Sequence, residues 1–448
     1  MRPLALLALL SCTPAAQPPP VWSVRDGFIR DPEGRAVILR GANVSGRHKE
    51  PPHFDFHGPA DYRRMRDAWG MNTVRFLVSW AAIEPERDVW DDTYLSGVQR
   101  RVAEAGAAGL HVFVDMHQDL YGLGFNGGNG APKWTCDDAQ YAAYRPVSPW
   151  FFNYLSPQVI ACTDGFWSSR DLQSHLVTAW SKLAAKLKDT PGFIGFDPLN
   201  EPYWGSMPYD VFEKNRLHPF YRQVIAAVRE SKPSALAFIE PASSRNLGLA
   251  SKLPPFEEPD LVYAPHAYDP DAESERGFDP ARRANITANV ADLRREADAL
   301  GAALVIGEYG GFAAHPGISE YMDAVYDAAA EQRAGAVYWD FGMNDSYALL
   351  AADGGIKPAL HEAVVRPYPE ATAGTPLSWS FDAATKTFTY RWKPDSKVKA
   401  PTLVSVPSDT WANGFSVSCS GCTAEKAPPG VKVTASGEAE AEVILRSP

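Results

Sequence analysis

The sequence predicts an α/β fold, a (β/α)8 TIM barrel followed by a small C-terminal antiparallel β-sandwich. Three observations carry that reading. Short apolar runs recur eight times between residues 37 and 342, most of them separated by segments of helical period. Beyond residue 376 the helical period disappears, and apolar and polar residues alternate between turn signals. The chain has 448 residues, too many for one ordinary core. That length suits a barrel of about 350 residues with an accessory domain. A doubly wound open sheet is the runner-up for such alternation.

Residues 1–16 read as an export signal. Arg2 supplies a basic start, residues 4–10 an apolar stretch, and small residues follow. The stretch is too short to span a bilayer. Residues 9–12 (LLSC) have the form of a bacterial lipobox, which would make Cys12 the lipid-bearing start of a mature cell-envelope protein. Ordinary cleavage near Ala16, giving a secreted protein, is the alternative. Residues 17–20 then form a Pro-rich tether, residues 21–368 the barrel and residues 369–448 the sandwich.

A hairpin-like segment, WSVRDGFIRDPEGR (22–35), precedes the first run. The eight runs are VILRGAN (37–43), TVRFLVSW (73–80), HVFVDMH (111–117), FIGFDPL (193–199), LAFIEP (236–241), LVYAPHAY (261–268), ALVIGEYG (303–310) and AVYWDFG (336–342). Near-continuous apolar runs suit parallel strands buried on both faces. Helical patterns lie between them, as in TYLSGVQRRVAEAGAAG (93–109) and SHLVTAWSKLAAKLK (174–188). The closing alternation runs through WSFDAATKTFTYRW (379–392), APTLVSVP (400–407), FSVSCSGC (415–422) and residues 431–445.

Lys and Arg total 43 against 54 Asp and Glu, a formal charge of −11 with no long run of one sign. Phosphate binding needs a basic face, so a nucleic-acid partner is excluded. Of five cysteines, four remain once Cys12 is set aside. Cys136 and Cys162 bracket one segment, and Cys419 and Cys422 lie three apart. Two local disulfides are the simplest assignment, and they agree with export. Gly122 to Gly127 fit a GxGxxG pattern but open no helix. Asp115, His117 and Asp119 alternate at a strand end without the partners that complete a metal site. No cofactor and no metal are expected.

Barrel chemistry sits at the C-terminal ends of strands. The polar residues there are Asn43 and Lys49, Arg75, His117, Asn200 with Glu201, Glu240, His266 with Tyr268, Glu308, and Asp340. Carboxylates stranded at the end of an apolar run are costly unless hydrogen-bonded or employed. In a closed barrel, Glu201 and Glu308 converge on one mouth. Paired carboxylates among Arg and His are the equipment of glycoside hydrolysis. One must stay protonated and the other ionised, and Arg75 should favour the ionised form of Glu308.

Arg75, His117, Asn200-Glu201-Pro202, His266-Ala267-Tyr268, Glu308 and Trp339 make the chain resemble the family 5 glycoside hydrolases. Residues 115–119 (DMHQD), 128–134 (GNGAPKW) and 364–375 (VVRPYPEATAGT) resemble the endoglycoceramidase subgroup. The resemblance implies Glu201 as general acid/base and Glu308 as nucleophile in a retaining enzyme acting on glycosphingolipids. It implies that Asn200 holds the sugar 2-hydroxyl, that Tyr268 and Arg75 bond the nucleophile, and that Lys49 and Asp119 touch the first sugar. His117, His266, Trp134 and Trp339 complete the expected sugar site.

Two other functions remain open to the sequence. One is an exo-acting relative that removes a single glucose or galactose from an apolar aglycone. The other is a non-catalytic surface lectin, which the presence of both carboxylates disfavours. The insertion over residues 121–170 is dense in aromatics, half expected to form a mini-core and half a wall beside the mouth. With Tyr347, Leu349 and Leu350 of the eighth strand's loop it is expected to frame an apolar lipid groove. The expected partners are a glycosphingolipid and the membrane or micelle surface that holds it, and the protein is expected to be a monomer.

Overall fold

The computed structural model describes residues 21–448. The expected export signal, Cys12 and the tether therefore lie outside the described residues. Among the described residues no helix is long and apolar enough to cross a membrane.

Eight parallel strands close into a barrel: Arg40–Val44, Thr73–Val78, His111–Met116, Phe193–Asp197, Leu236–Ile239, Leu261–Tyr263, Ala303–Tyr309 and Gly335–Tyr338. The eighth pairs with the first through Ala336 and Arg40, which completes the ring. Every residue of the seventh strand is buried, because the strand faces side chains inside the barrel and helices outside it. The helices follow from their apolar spacing. In Asp92–Ala107, residues Leu95, Val98, Val102 and Ala105 face inward, and the Asp91 side chain caps the first turn from the Tyr94 N–H. The fifth and sixth strands are joined without a full helix, through a short 3-10 turn at Ser243–Leu247.

The barrel floor is apolar. Phe113 and Phe238 stack with ring centres 4.0 Å apart, among Ile194, Leu236, Val262 and Val305. Above this layer toward the C-terminal mouth come charged side chains, which the floor cuts off from the other end of the barrel.

The C-terminal region packs a four-stranded sheet against a seven-stranded one. Strand Gly374–Asp382 alternates buried and exposed residues, and its Trp379 meets Phe388, Tyr390 and Trp392 in a separate core. The expected division at residue 368 is crossed twice. Ser23–Arg25, Phe28–Arg30 and Ala36–Val37 belong to the larger sheet, Val37 pairing with Ala371, and strand Tyr368–Thr372 spans the boundary. An N-terminal hairpin has unpaired edges, and the nearest strand able to cover one lies more than three hundred residues away in sequence.

Candidate active site

Arg75 organises the mouth. It leaves the second strand fully buried and meets four carboxylates: Asp115 at 3.0 Å, Asp197 at 3.0 Å, Glu240 at 2.8 Å and Glu308 at 2.5 Å. It also donates to Asn43 and Asn200. A buried guanidinium needs such a set, because each N–H left unpaired would cost a full desolvation penalty. Asp115, Asp197 and Glu240 offer three oxygens close enough for a metal ion, yet Arg75 fills the space between them. Burial and the neighbouring Glu240 hold the Asp197 carboxyl well above its ordinary value. Burial opposes ionisation of Glu240 as well, but His266 and Arg75 outweigh it and bring that carboxyl down to about 2.

Glu308 ends the seventh strand with both oxygens held. Arg75 donates to Oε1, and the Tyr268 hydroxyl donates to Oε2 at 2.8 Å. The Glu308 carboxyl is pushed up, first by burial, against the pull of His266 and Arg75. Arg75 favours the ionised form, as expected, but burial outweighs it. The guanidinium is shared among four carboxylates, so each receives only part of its stabilisation, while burial acts in full.

Glu201 follows the fourth strand with φ 41°, in the left-handed region that a non-glycine residue adopts at a cost of about 1–3 kcal/mol. Hydrogen bonds with four neighbouring residues fix it there. Its N–H donates to Glu240 at 2.9 Å, the Gln118 amide donates to the carbonyls of residues 200 and 201, and Oε1 meets His266 Nδ1 and Asn246 Nδ2, each at 2.7 Å. Burial disfavours charge on His266, but Glu240 and Glu308 outweigh it and hold the imidazole well above its ordinary value. One nitrogen or carboxylate oxygen from each of Glu201, His266 and Glu308 lies within 4.8 Å of the other two. That separation suits a retaining pair, whose carboxyls stand about 5–5.5 Å apart, rather than an inverting pair at about 6.5–9.5 Å.

The expected sugar-binding residues gather beside this pair, with one exception. Lys49 Nζ lies 2.7 Å from Asp119 and 4.4 Å from the centre of the Trp339 ring. His117 stacks on Trp339 at 5.4 Å and meets Asp115 at 2.7 Å. Asn200 accepts from Arg75 and donates to the Gln118 carbonyl. Trp134 is the exception. Its indole donates to the Glu84 carbonyl and packs on Trp80 and His175, among helices. An aromatic that closes a loop over a helix has its face covered by that helix, so Trp134 holds the insertion in place.

The expected lipid wall needs a larger correction. Leu349 is 0 % exposed and Leu350 3 % exposed, both within the main core. The backbone explains it: Leu349 N–H donates to Asp340, Leu350 N–H to Gly342, and Asn344 N–H to Leu350. The eighth loop is thus folded back onto the barrel rim. Of the three residues only Tyr347 reaches the mouth, with its hydroxyl 2.6 Å from Glu273 and its ring in a T-shaped pair with Tyr268 at 6.2 Å.

Glu273, Asn246 and Gln118 are parts of the site that the sequence did not reveal. The first two sit in polar loop segments with no apolar run to mark them, and Gln118 is one polar residue among several at a strand end. Burial pushes the Glu273 carboxyl up to about 7. The aromatics of the insertion fall into a buried and an exposed set. Phe166 and Trp167 are buried, while Trp150, Phe151 and Phe152 are each about half exposed. Cys136 and Cys162 are joined across it, as are Cys419 and Cys422 in the sandwich.

Comparison with known proteins agrees with this geometry. Residues 31–345 match the cellulase family, glycosyl hydrolase family 5, and residues 366–444 match the glycoside hydrolase family 5 C-terminal domain. Endoglycoceramidase I of Rhodococcus hoagii is 28% identical over 445 residues, covering 93% of this chain and 86% of its own length. The ganglioside GM3 complex of endo-glycoceramidase II from Rhodococcus sp. superposes with a TM-score of 0.86 at 27% identity, covering 94% of this chain and 99% of that one. The lactosyl-enzyme intermediate of the same enzyme gives 0.84 at 27% identity, with the same coverage of both chains. With this barrel, its C-terminal domain and a carboxylate pair at retaining distance, the chain belongs to glycoside hydrolase family 5, as a retaining glycoside hydrolase.

Proposed function

We propose that the protein is an endo-acting enzyme that cleaves the β-glycosidic bond between the glycan and the ceramide of glycosphingolipids. The observation that carries the reading is the Glu201–His266–Glu308 cluster within 4.8 Å, set in a chain similar along most of its length to endoglycoceramidases. Glu308, steered by Arg75 and Tyr268, attacks the anomeric carbon as the bond to the ceramide oxygen breaks. Glu201 passes its proton to that oxygen, and ceramide leaves. The glycan stays as an ester on Glu308. Glu201, now a carboxylate, takes a proton from water, whose oxygen attacks the anomeric carbon and frees Glu308. Asn200, Lys49, Asp119 and the Trp339 face would hold the sugar through the glycan-side steps.

The protein works as a monomer at a membrane or micelle surface, after export to the cell envelope or beyond. Two disulfides and the leader-like first residues support that location. The test is to incubate the protein with lactosylceramide and glucosylceramide and identify the released sugar. Intact lactose is expected from the first. Release of galactose alone, with glucosylceramide left behind, would mean exo action and would overturn the endo reading.

A further inference from the structure

Among the described residues, five of the thirteen exposed large apolar side chains gather in the turn over residues 147–155, where Val147, Trp150, Phe151, Phe152 and Leu155 are 48–63% exposed. From it we infer that this turn is a membrane-insertion finger that seats the mouth on a zwitterionic lipid surface, an inference that rests on the glycolipid reading above.

Four observations converge on it. The first is placement. Of the thirteen exposed large apolar side chains among the described residues, twelve lie on segments leaving the C-terminal ends of barrel strands, and the sandwich contributes none. The apolar exposure is therefore concentrated on one face, the face that carries Glu201 and Glu308. Large apolar patches of this kind mark interaction surfaces.

The second is the finger's own construction. Entering a low-dielectric interface is costly for any unpaired backbone group. Here Asn153, only 4% exposed, ties the turn from within. It accepts from the Val147 N–H and donates to the Val147 and Trp150 carbonyls. The Cys136–Cys162 bond brackets the turn from outside. Trp and Phe are the side chains that gain most at a water–lipid boundary.

The third is charge. Residues 146–163 contain no Asp, Glu, Lys or Arg, in a chain of formal charge −11. Such a finger has no basic groups with which to seek anionic lipids. A neutral, zwitterionic surface is the complementary one.

The fourth is continuity with the site. The Trp150 ring lies 6.1 Å from that of Tyr154, and Tyr154 lies 5.1 Å from Tyr203, two residues beyond Glu201. Tyr203 also lines an apolar cavity with Trp80, Leu199, Phe166 and Trp167, which runs up to His117 and Gln118. Packed aromatic side chains thus connect the exposed finger to the wall of the cavity beside the catalytic cluster.

The test compares the full chain with the triple variant Trp150→Ser/Phe151→Ser/Phe152→Ser. Flotation with phosphatidylcholine vesicles, at low and high salt, reads binding directly. Lactosylceramide in those vesicles and a soluble aryl glycoside read turnover. We expect the variant to lose at least tenfold in vesicle binding and to raise KM for vesicle-borne substrate at least tenfold. Its kcat and its activity on the aryl glycoside should stay unchanged, which also shows that it folds. Binding by the unmodified protein should be insensitive to salt, and Phe151→Leu/Phe152→Leu should retain it. Equal vesicle binding by the triple variant would overturn the inference. So would binding that needs anionic lipid, or a dimer in sedimentation that the triple variant converts to monomer, because the patch would then serve another surface or a second copy. If the protein binds vesicles through the finger yet never cleaves lactosylceramide, the substrate reading fails while the finger stands.

Discussion

Two segments at the barrel mouth look alike in sequence and end in opposite environments. Residues 147–155 and residues 344–350 are both short, both follow a barrel strand and both carry bulky apolar side chains. Leu349 and Leu350 are buried, whereas Trp150, Phe151 and Phe152 stand in solvent. Backbone pairing makes the difference. The eighth loop hydrogen-bonds to the strand end it has just left, and the Tyr338 hydroxyl and Lys357 ammonium hold the carbonyls of residues 347 and 346. Its leucines are pulled under the rim. The third loop instead closes on itself through Asn153, which leaves Trp150, Phe151 and Phe152 outward while Tyr154 turns in against Tyr203. Apolar content alone therefore does not distinguish a core loop from a docking loop. What a loop's polar groups bond to does.

The strongest way to break this contrast is to place a charge in each loop. Leu349→Asp buries an unpaired carboxylate and should cost about 3–5 kcal/mol, seen as a large fall in Tm together with loss of all activity. A variant that keeps its Tm and loses only glycolipid turnover would show that Leu349 is exposed after all. Opening the staple comes next. The Cys136–Cys162 bond closes a loop with a sequence separation of 26, a constraint worth roughly 3–4 kcal/mol by loop closure. Cys136→Ser/Cys162→Ser should speed hydrogen exchange over residues 137–161 while exchange of the barrel strands is unchanged. Uniform loosening of the barrel would contradict a local staple.

A smaller effect concerns the eighth loop's anchor on the sixth. Burial raises Glu273 from its ordinary 4.5 to about 7, so the folded protein binds that proton more tightly than the unfolded chain. Its contribution to stability is complete below about pH 4.5 and is lost as pH rises through about 7. Glu273→Gln should flatten the fall in Tm across that window, and an unchanged slope would mean that Glu273 does not titrate there. Smallest of all is Phe151→Asp. A half-exposed side chain loses little, so stability should stay within about 0.5 kcal/mol. A fall as large as that of Leu349→Asp would erase the distinction between the loops.

The same contrast explains what could be read from sequence. All eight barrel strands were legible, because burial on both faces writes an unbroken apolar run. Glu201 and Glu308 were legible for the converse reason, as carboxylates stranded where such runs stop. The N-terminal hairpin's place in the sandwich was not, since Val37 and Ala371 pair across the whole length of the barrel. Nor was the burial of Leu349 and Leu350, which depends on hydrogen bonds that leave no mark in composition. Glu273 and Asn246 carried no signal because they lie in loops already polar. Arg75 was visible as a cation expected at a strand end, though it lies inside Thr73–Val78, and its four-way sharing was not visible.

The central claim is that Glu308 attacks sugar while Glu201 supplies and retrieves the proton. It is tested most directly with an activated 2-deoxy-2-fluoro lactoside, followed by mass spectrometry of the digested protein. The account predicts one fluorolactosyl group per molecule, carried on the peptide containing Glu308, and no label on Glu308→Gln. Label on any other residue, or turnover without label and with inverted configuration at the released sugar, would contradict it.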